Sequence, residues 1–449
     1  MDVVGSPSLV APAGVAEHAF DLRLYAGRVA LLRPPELEGR GPAAAGEAPV
    51  WMSRDGQHVF WSSRAQQWMW ARCDLYVGWQ YSIEWNVRHF FEEHAWMLAE
   101  AHAATADFHF LDHCFTNVYT GLRGQGMSHR EALQEADEAY LAPLVRWQLQ
   151  RLEGGAHNVA MVSSFDLGRA DFPQTAALAV NWTVLSLNGA ADWLSANNVY
   201  AVSDELLPPG FCEETGAWRS TLGGLDWQPQ DAVLPVPCRH TWDAERSASN
   251  DRPVLAFFAG SLNSCTRRQL FELYGVGWLP ASVAELVSAQ SHGGPRIWVL
   301  NGSIGPPTVA LTDDAECDES VGTDPNGLGE LAYREALWSS QYCLVLNGSS
   351  SVNNVRLVEA VMHGCIPVVI SDDFHPPFDR LLAWWDFAVF LRTRELPFMA
   401  QMLSSIGADL AASKRRLLQE AAPFLDWRQQ HLWNAFFSEA LHYEPRHAG

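Results

Sequence analysis

The sequence predicts an α/β fold built from two layered units, and three observations predict it. With 449 residues, the chain exceeds what one hydrophobic core organises, so two globular domains are expected. In the second half, continuous apolar runs at Val254–Ala259, Ile297–Leu300, Tyr342–Leu346, Ile366–Ile370 and Phe387–Leu391 alternate with helical patterns at Arg267–Tyr274, Leu328–Ser339, Val352–His363 and Leu396–Ile406. Strands apolar on both faces and separated by helices imply a parallel sheet covered on both sides, which binds ligands at the carboxyl ends of its strands. No internal repeat is visible, which removes solenoids and propellers.

Taken in order, residues 1–50 are rich in Pro, Gly and Ala around a strand-like stretch near Leu22–Leu32 and read as a loosely structured lead-in. Residues 51–245 read as an N-terminal α/β domain. There the spacing of Trp85, Val87, Phe90, Phe91, Trp96 and Leu98 suits a long helix from Ile83 to Ala104. A strand at Phe108–Leu111, a helical segment Arg130–Leu152, a strand at Asn158–Ser163, the loop Ser164–Pro173 and apolar runs at Ala176–Leu187 and Asn198–Val202 complete it. The boundary falls near the polar segment Ala244–Asp251, and residues 246–449 form the second domain with its terminal helices. Ser288–Gly294 and the acidic stretch Asp313–Glu330 read as solvated loops.

A formal charge of -22 leaves no cationic field for nucleic acid or anionic lipid, and favours a neutral binding partner. No run of apolar residues is long enough to span a membrane, and Met1–Glu17 lacks the pattern of a signal peptide, so the chain as written is expected to be soluble. Eight cysteines without a CxxC pair signal neither zinc nor a redox couple; four disulfides and eight buried thiols both fit. Twenty tryptophans are a surplus that suits sugar stacking, although a tryptophan in a globular chain is usually core. Sequons begin at Asn181, Asn301 and Asn347.

The chemistry concentrates between Tyr342 and Phe378, which read strand, polar loop, helix, strand, loop. Gly348, Ser349, Ser350 and Ser351 lead into the helix, where free backbone amides and the helix dipole favour a phosphate. Arg356 and Glu359 are three apart and share one helix face. A guanidinium fork suits a diphosphate, and a carboxylate can accept hydrogen bonds from two ribose hydroxyls. The same pair also fits a surface ion pair on a serine-capped helix.

The segments Tyr342–Leu344, Gly348–Ser351, Arg356–Ala360, Gly364–Asp372 and Pro377–Phe378 resemble, in order and spacing, the catalytic half of exostosin-family glycosyltransferases. Leu255–Gly260 followed by Arg267–Leu270 is similar to the family's strand and helix start, and weaker similarity reaches upstream through Gly154–Gly155 and Phe165–Gly168. The resemblance implies a GT-B architecture of two facing Rossmann-like domains with parallel sheets. It also implies Golgi residence and inverting transfer from a nucleoside-diphosphate sugar, with UDP as the expected carrier, to a glycan or glycoprotein. On that reading Arg267 or its neighbour Arg268, Gly348–Ser351, Asn354, Arg356, Glu359, Ser371 and Asp372 hold the donor.

A departing diphosphate needs a metal or fixed cations. The chain has no Asp-x-Asp, so helix amides with Arg356 and Arg267 are expected to serve, without a metal and with no cofactor beyond the nucleotide sugar. Adjacent helical residues point about 100° apart, so only one of Arg267 and Arg268 is expected to face the cleft. Inversion needs a general base on the acceptor side; Asp166, in the loop after a strand, is the first candidate and His157 the second, while a turn-forming role fits Asp166 equally. Leu346–Asn347 stand where the family carries Pro-Arg, Asn354 where it carries Ser, and Phe165 where a His precedes the Asp. These differences keep a second class open, a catalytically inactive glycan- or nucleotide-binding protein. No GxGxxG follows a predicted strand, which disfavours a dehydrogenase.

Overall fold

The computed structural model describes residues 29–37, 48–73, 83–95, 98–99, 106, 108–152, 158–164, 168–187, 228, 230–238, 240–260, 262, 264–275, 296–301, 330–346, 353–371 and 374–441. Its first half holds β1 (Val29–Leu32), an antiparallel ribbon of β2 (Val50–Met52), β3 (His58–Ser62) and β4 (Gln67–Ala71), then β5 (Leu98–Ala99), β6 (Phe108–Leu111), β7 (Val159–Ser163), β8 (Thr183–Ser186) and β9 (Ala232–Val233). Outside the ribbon these strands form one sheet in the order β5-β1-β6-β7-β8-β9, parallel at every pairing. Helices α1 (Ile83–Glu93), α2 (Phe115–Gly124), α3 (His129–Glu135), α4 (Ala142–Leu149) and α5 (Pro173–Leu178) accompany it.

Differences from the sequence expectation have local causes. The strand-like stretch placed in a loose lead-in is, over Val29–Leu32, a fully buried interior strand paired on both sides. The helix expected to run to Ala104 stops at Glu93, where Glu92 and Glu93 oppose the negative end of the helix dipole, and the chain re-enters the sheet at Leu98. The helical run after His129 is continuous but passes through a π-turn at Ala136–Leu141, just before Pro143, which has no N–H to donate. The Ala176–Leu187 run divides into the end of α5 and β8.

The second half follows the expected alternation: α6 (Ala244–Ser247), β10 (Val254–Gly260), α7 (Cys265–Tyr274), β11 (Ile297–Asn301), α8 (Glu330–Ser339), β12 (Ser340–Leu346), α9 (Val355–Met362), β13 (Ile366–Ile370), α10 (Trp384–Phe387), β14 (Val389–Leu391), α11 (Met399–Ser404), α12 (Ala408–Ala421) and α13 (Gln430–Leu441). The strand expected over Phe387–Leu391 is confined to Val389–Leu391, because Trp384 and Phe387 turn inward as a short helix with ring centroids 4.8 Å apart. This sheet is also parallel, in the order β11-β10-β12-β13-β14. Both sheets therefore reverse strand order next to their first strand, between β1 and β6 and between β10 and β12. In doubly wound sheets, crevices open at the carboxyl ends of such pairs.

The two units share buried structure. Helix α13 packs back on the first unit, with Trp433 stacked on Phe90 of α1 at 4.0 Å and Phe437 against Phe108 of β6 at 6.0 Å. Val345, Leu357 and Val369 belong to the same buried cluster as these rings. Asn353, ahead of α9, donates from Nδ2 to the carbonyls of Leu187 and Leu234, both at 2.8 Å, and those residues follow β8 and β9. The carboxyl edge of the first sheet is thus hydrogen-bonded to the amino end of a helix on the second.

Within the second half, one buried cation ties several helix ends together. Arg252 donates to the carbonyls of Ser249 (3.0 Å), Leu337 (3.1 Å), Ser340 (2.9 Å), Ser247 (3.1 Å) and His363 (2.8 Å). It therefore closes the C-terminal ends of α8 and α9, where carbonyls lack helical partners and positive charge is favoured. Burial and the neighbouring Arg415 pull its pKa down to about 9. Gly364 has φ +64°, and a Cβ there would strike the Ser247 carbonyl, so glycine is required on two counts. Disulfides join Cys73 to Cys114 and Cys343 to Cys365; Cys238 is a free, half-buried thiol. Among the described residues no helix is long and apolar enough to cross a membrane.

Replacing Arg252 by Met is expected to strand several buried carbonyls, each costing about 1–3 kcal/mol. In urea unfolding the midpoint falls by an amount equivalent to at least about 3 kcal/mol with the slope unchanged. An unaltered midpoint would show that the cluster carries no stability.

Candidate functional site

At the reversal between β10 and β12 lie three of the predicted donor residues, Arg267, Asn354 and Arg356. The last residues of β10 are Phe258, Ala259 and Gly260, and β12 ends at Leu346. Two helices start at this edge. Ser264 caps α7 by accepting the Arg267 N–H at 3.3 Å, and Asn354 caps α9 by accepting the Arg356 N–H at 3.1 Å. The Asn354 Nδ2 also donates to the Leu346 carbonyl at 3.0 Å, tying the start of the helix to the end of the strand.

Arg267 and Arg356 converge on one aromatic ring. Their guanidinium carbons lie 5.4 and 5.7 Å from the centroid of Phe258, a geometry in which the ring quadrupole attracts cations. Arg267 Nη2 reaches the Leu346 carbonyl at 3.3 Å, and Arg356 Nε donates to the Ala259 carbonyl at 2.7 Å. Burial, and then the like charge of Arg356, push the Arg267 pKa well below its ordinary value. The pair is therefore a concentration of positive charge in a poorly hydrated place, which a bound anion relieves. Gly260 makes room for it: a Cβ there would stand 2.8 Å from Arg356 Nη2.

Of the two adjacent arginines, Arg267 faces the ring and the strand edge, whereas Arg268 is half-buried and reaches the Leu262 carbonyl at 3.5 Å. Ser371 follows β13 and donates its N–H to the Leu391 carbonyl at 3.0 Å. Glu359 lies one turn beyond Arg356 and is buried. Its Oε2 accepts from Tyr333 Oη at 2.6 Å, and its Oε1 stands 3.9 Å from His240 Nδ1. Gly348, Ser349, Ser350, Ser351, Asp372, Asp166 and His157 lie outside the described residues.

The residues flanking the Asp166 loop are firmly held. Ahead of it, Ser164 Oγ donates to Glu84 and accepts the Ile83 N–H at 3.2 Å. Beyond it, Arg169 is buried and grips Asp231 with two hydrogen bonds, of 2.6 and 2.7 Å, while donating to the carbonyls of Ala179 and Trp182.

A second constellation, which sequence reasoning missed, occupies the carboxyl edge between β1 and β6. Asp112 accepts from Arg33 Nε at 2.8 Å and from Arg88 Nη2 at 2.6 Å. Burial alone would raise the Asp112 pKa, but Arg88 and Arg33 hold it down to about 2. Beside it His113 Nε2 lies 2.9 Å from the Val162 carbonyl, and burial pulls its pKa down to about 4. Glu84 takes Thr116 Oγ1 at 3.0 and 3.1 Å on its two oxygens, and burial raises its pKa despite those bonds. The available signal was the Asp112–His113 pair directly after a predicted strand, the position where parallel sheets place their polar business.

The description "Exostosin GT47 domain" matches residues 62–406. A probable beta-1,4-xylosyltransferase of Arabidopsis thaliana (IRX10L) is 38% identical over 86 residues, which is 19% of this chain and 20% of that protein. A probable glucuronosyltransferase of Oryza sativa subsp. japonica is 40% identical over 86 residues, again 19% of this chain and 20% of its own. The chain thus spans about a fifth of the length of these curated relatives. A solved structure titled "Crystal structure of GtfA/B complex" aligns with 67% of this chain and 60% of its own at 15% identity and a TM-score of 0.30, too low to bear on the fold. With the domain match covering most of its length and two doubly wound parallel sheets beneath it, the chain belongs to the exostosin GT47 family of glycosyltransferases.

Proposed function

We propose that the chain is an inverting glycosyltransferase that takes a sugar from a UDP-linked donor and passes it to a hydroxyl of a glycan or glycoprotein, without a metal ion. The observation that carries this reading is the Arg267–Phe258–Arg356 cluster at the carboxyl edge of β10 and β12. Two like charges held together there favour a ligand with at least two negative charges, and a diphosphate is the simplest one that such a sheet crevice accepts.

In the proposed reaction the acceptor oxygen attacks the anomeric carbon from the face opposite the leaving group. The new glycosidic bond forms as the bond between carbon and phosphate oxygen breaks, and the proton of the acceptor hydroxyl passes to Asp166, or to His157. Arg267, Arg356 and the amides of Gly348–Ser351 take up the charge that grows on the departing diphosphate, and charged hydrogen bonds of this kind contribute roughly 1.5–3 kcal/mol each. Glu359 retains lone pairs for ribose hydroxyls beside its bond from Tyr333. Asn354, Ser371 and Asp372 complete the donor side.

The names of the relatives make UDP-xylose and UDP-glucuronic acid the first donors to try. Two disulfides suit an oxidising compartment, in keeping with the Golgi lumen. An inactive binding homologue is the second reading, favoured by Leu346–Asn347 where the family carries Pro-Arg, since one cation is then missing from the diphosphate end.

Calorimetric titration with UDP in the presence of EDTA is expected to show binding that weakens about 10- to 150-fold in Arg267→Ala or Arg356→Ala, with unfolding midpoints checked in parallel. Gly260→Ala weakens UDP binding in the same way, because its Cβ meets Arg356. No binding of UDP to the folded chain sinks the donor assignment. For the base, Asp166→Asn retains UDP affinity but loses about 10²- to 10⁴-fold in transfer turnover; turnover equal to wild type removes Asp166 from the mechanism. Donor binding without transfer to any acceptor would favour the inactive homologue.

A further inference from the structure

Three side chains of different chemistry converge at α9. Cys238 and His240 come from the segment between β9 and α6, and Glu359 comes from α9. Their Sγ, ring nitrogen and carboxylate oxygen all lie within 4.8 Å of one another, and His240 and Glu359 are buried while Cys238 is half-buried. We propose that Cys238, His240 and Glu359 form a binding site for a zinc ion.

The donor set and its spacing support zinc. Thiolate, imidazole and carboxylate are the three protein ligands this ion uses, and three ligands with an open fourth position are common around it. Two ligand atoms at about 2.1 Å from a tetrahedral ion are about 3.4 Å apart. His240 Nδ1 and Glu359 Oε1 stand at 3.9 Å, longer than a hydrogen bond but a small side-chain adjustment from joint ligation. The outer contacts also fit. Tyr333 Oη holds Glu359 Oε2 at 2.6 Å, which turns Oε1 toward His240. Arg428 Nη2 donates to the His240 carbonyl at 2.5 Å, and the His363 ring lies 4.9 Å from the His240 ring in an edge-on contact. Second contacts of this sort orient metal ligands.

On binding, the thiol proton leaves for solvent and sulfur bonds to the ion. Because Glu359 shares α9 with Arg356, an ion on Oε1 withdraws this carboxylate from a ribose. Zinc and nucleotide then compete, a consequence that rests on the donor reading, whereas the zinc site itself does not.

The test uses the full chain, stripped of metal and checked for folding by near-ultraviolet circular dichroism. Zn²⁺ is titrated against a chromophoric chelator, and Cd²⁺ is added separately to report a sulfur–metal charge-transfer band. One ion per chain is expected, with affinity falling more than about 10-fold in Cys238→Ser and in His240→Gln, and the Cd²⁺ band absent from Cys238→Ser. Tyr333→Phe keeps the band but weakens binding about 10- to 100-fold, which separates orientation of Glu359 from direct ligation. No uptake by the folded wild type, or undiminished uptake by both ligand variants, overturns the site. A zinc-dependent loss of UDP affinity in wild type but not in Cys238→Ser supports the competition. Zinc binding in a chain that binds no UDP leaves the site standing and removes only the donor reading.

Discussion

Asn353 spans the two halves of this molecule with a single amide, and the arrangement of both sheets meets in its two hydrogen bonds. Parallel strands joined by helices all end on the same edge, so each sheet carries its loops, helix amino ends and unpaired amides along one rim. By donating to the carbonyls after β8 and β9 while sitting at the start of α9, Asn353 holds the rim of the first sheet against the rim of the second. Of the candidate residues for donor binding, Arg267, Asn354 and Arg356 lie on that second rim. The Arg33–Asp112–Arg88 cluster occupies the matching position on the first.

The chain uses its arginines in two physically distinct ways. Arg252 spends its donors on backbone carbonyls at the ends of two helices, and Arg169 grips a buried carboxylate and two carbonyls, so both are satisfied within the fold. Arg267 and Arg356 also donate to strand-end carbonyls, at Leu346 and Ala259, but both lie against one phenylalanine ring, where their charges repel. A protein that placed two guanidinium groups near one another only for stability would lose by it. The arrangement makes sense as a receptor for concentrated negative charge, and the absence of a side chain at Gly260 is what lets Arg356 approach.

Packing of α13 on the first sheet adds a constraint of another kind. Its aromatic side chains join the core of the first unit, while Arg380 pairs with the buried Glu439 on α13. Burial raises the Glu439 pKa to about 7 although Arg380 lowers it. Helix α13 is therefore part of the core of the first unit, and the two units share one hydrophobic cluster.

The sequence by itself determined the α/β class, the strand and helix alternation of the second half to within a few residues, and the family to which the chain belongs. These depend on short-range patterns: apolar runs, helix caps, and Arg356 and Glu359 three residues apart. Tertiary structure alone decided what lies far apart in sequence. It made an interior strand of Val29–Leu32, folded Phe436 and Phe437 onto the first sheet, and selected Arg267 rather than Arg268 to face Phe258. It also tied Glu359 to Tyr333 and His240, residues that no local spacing connects to it. Periodicity reports which side of an element is buried, but not against which other element, and the chemistry of both rims depends on the second of these.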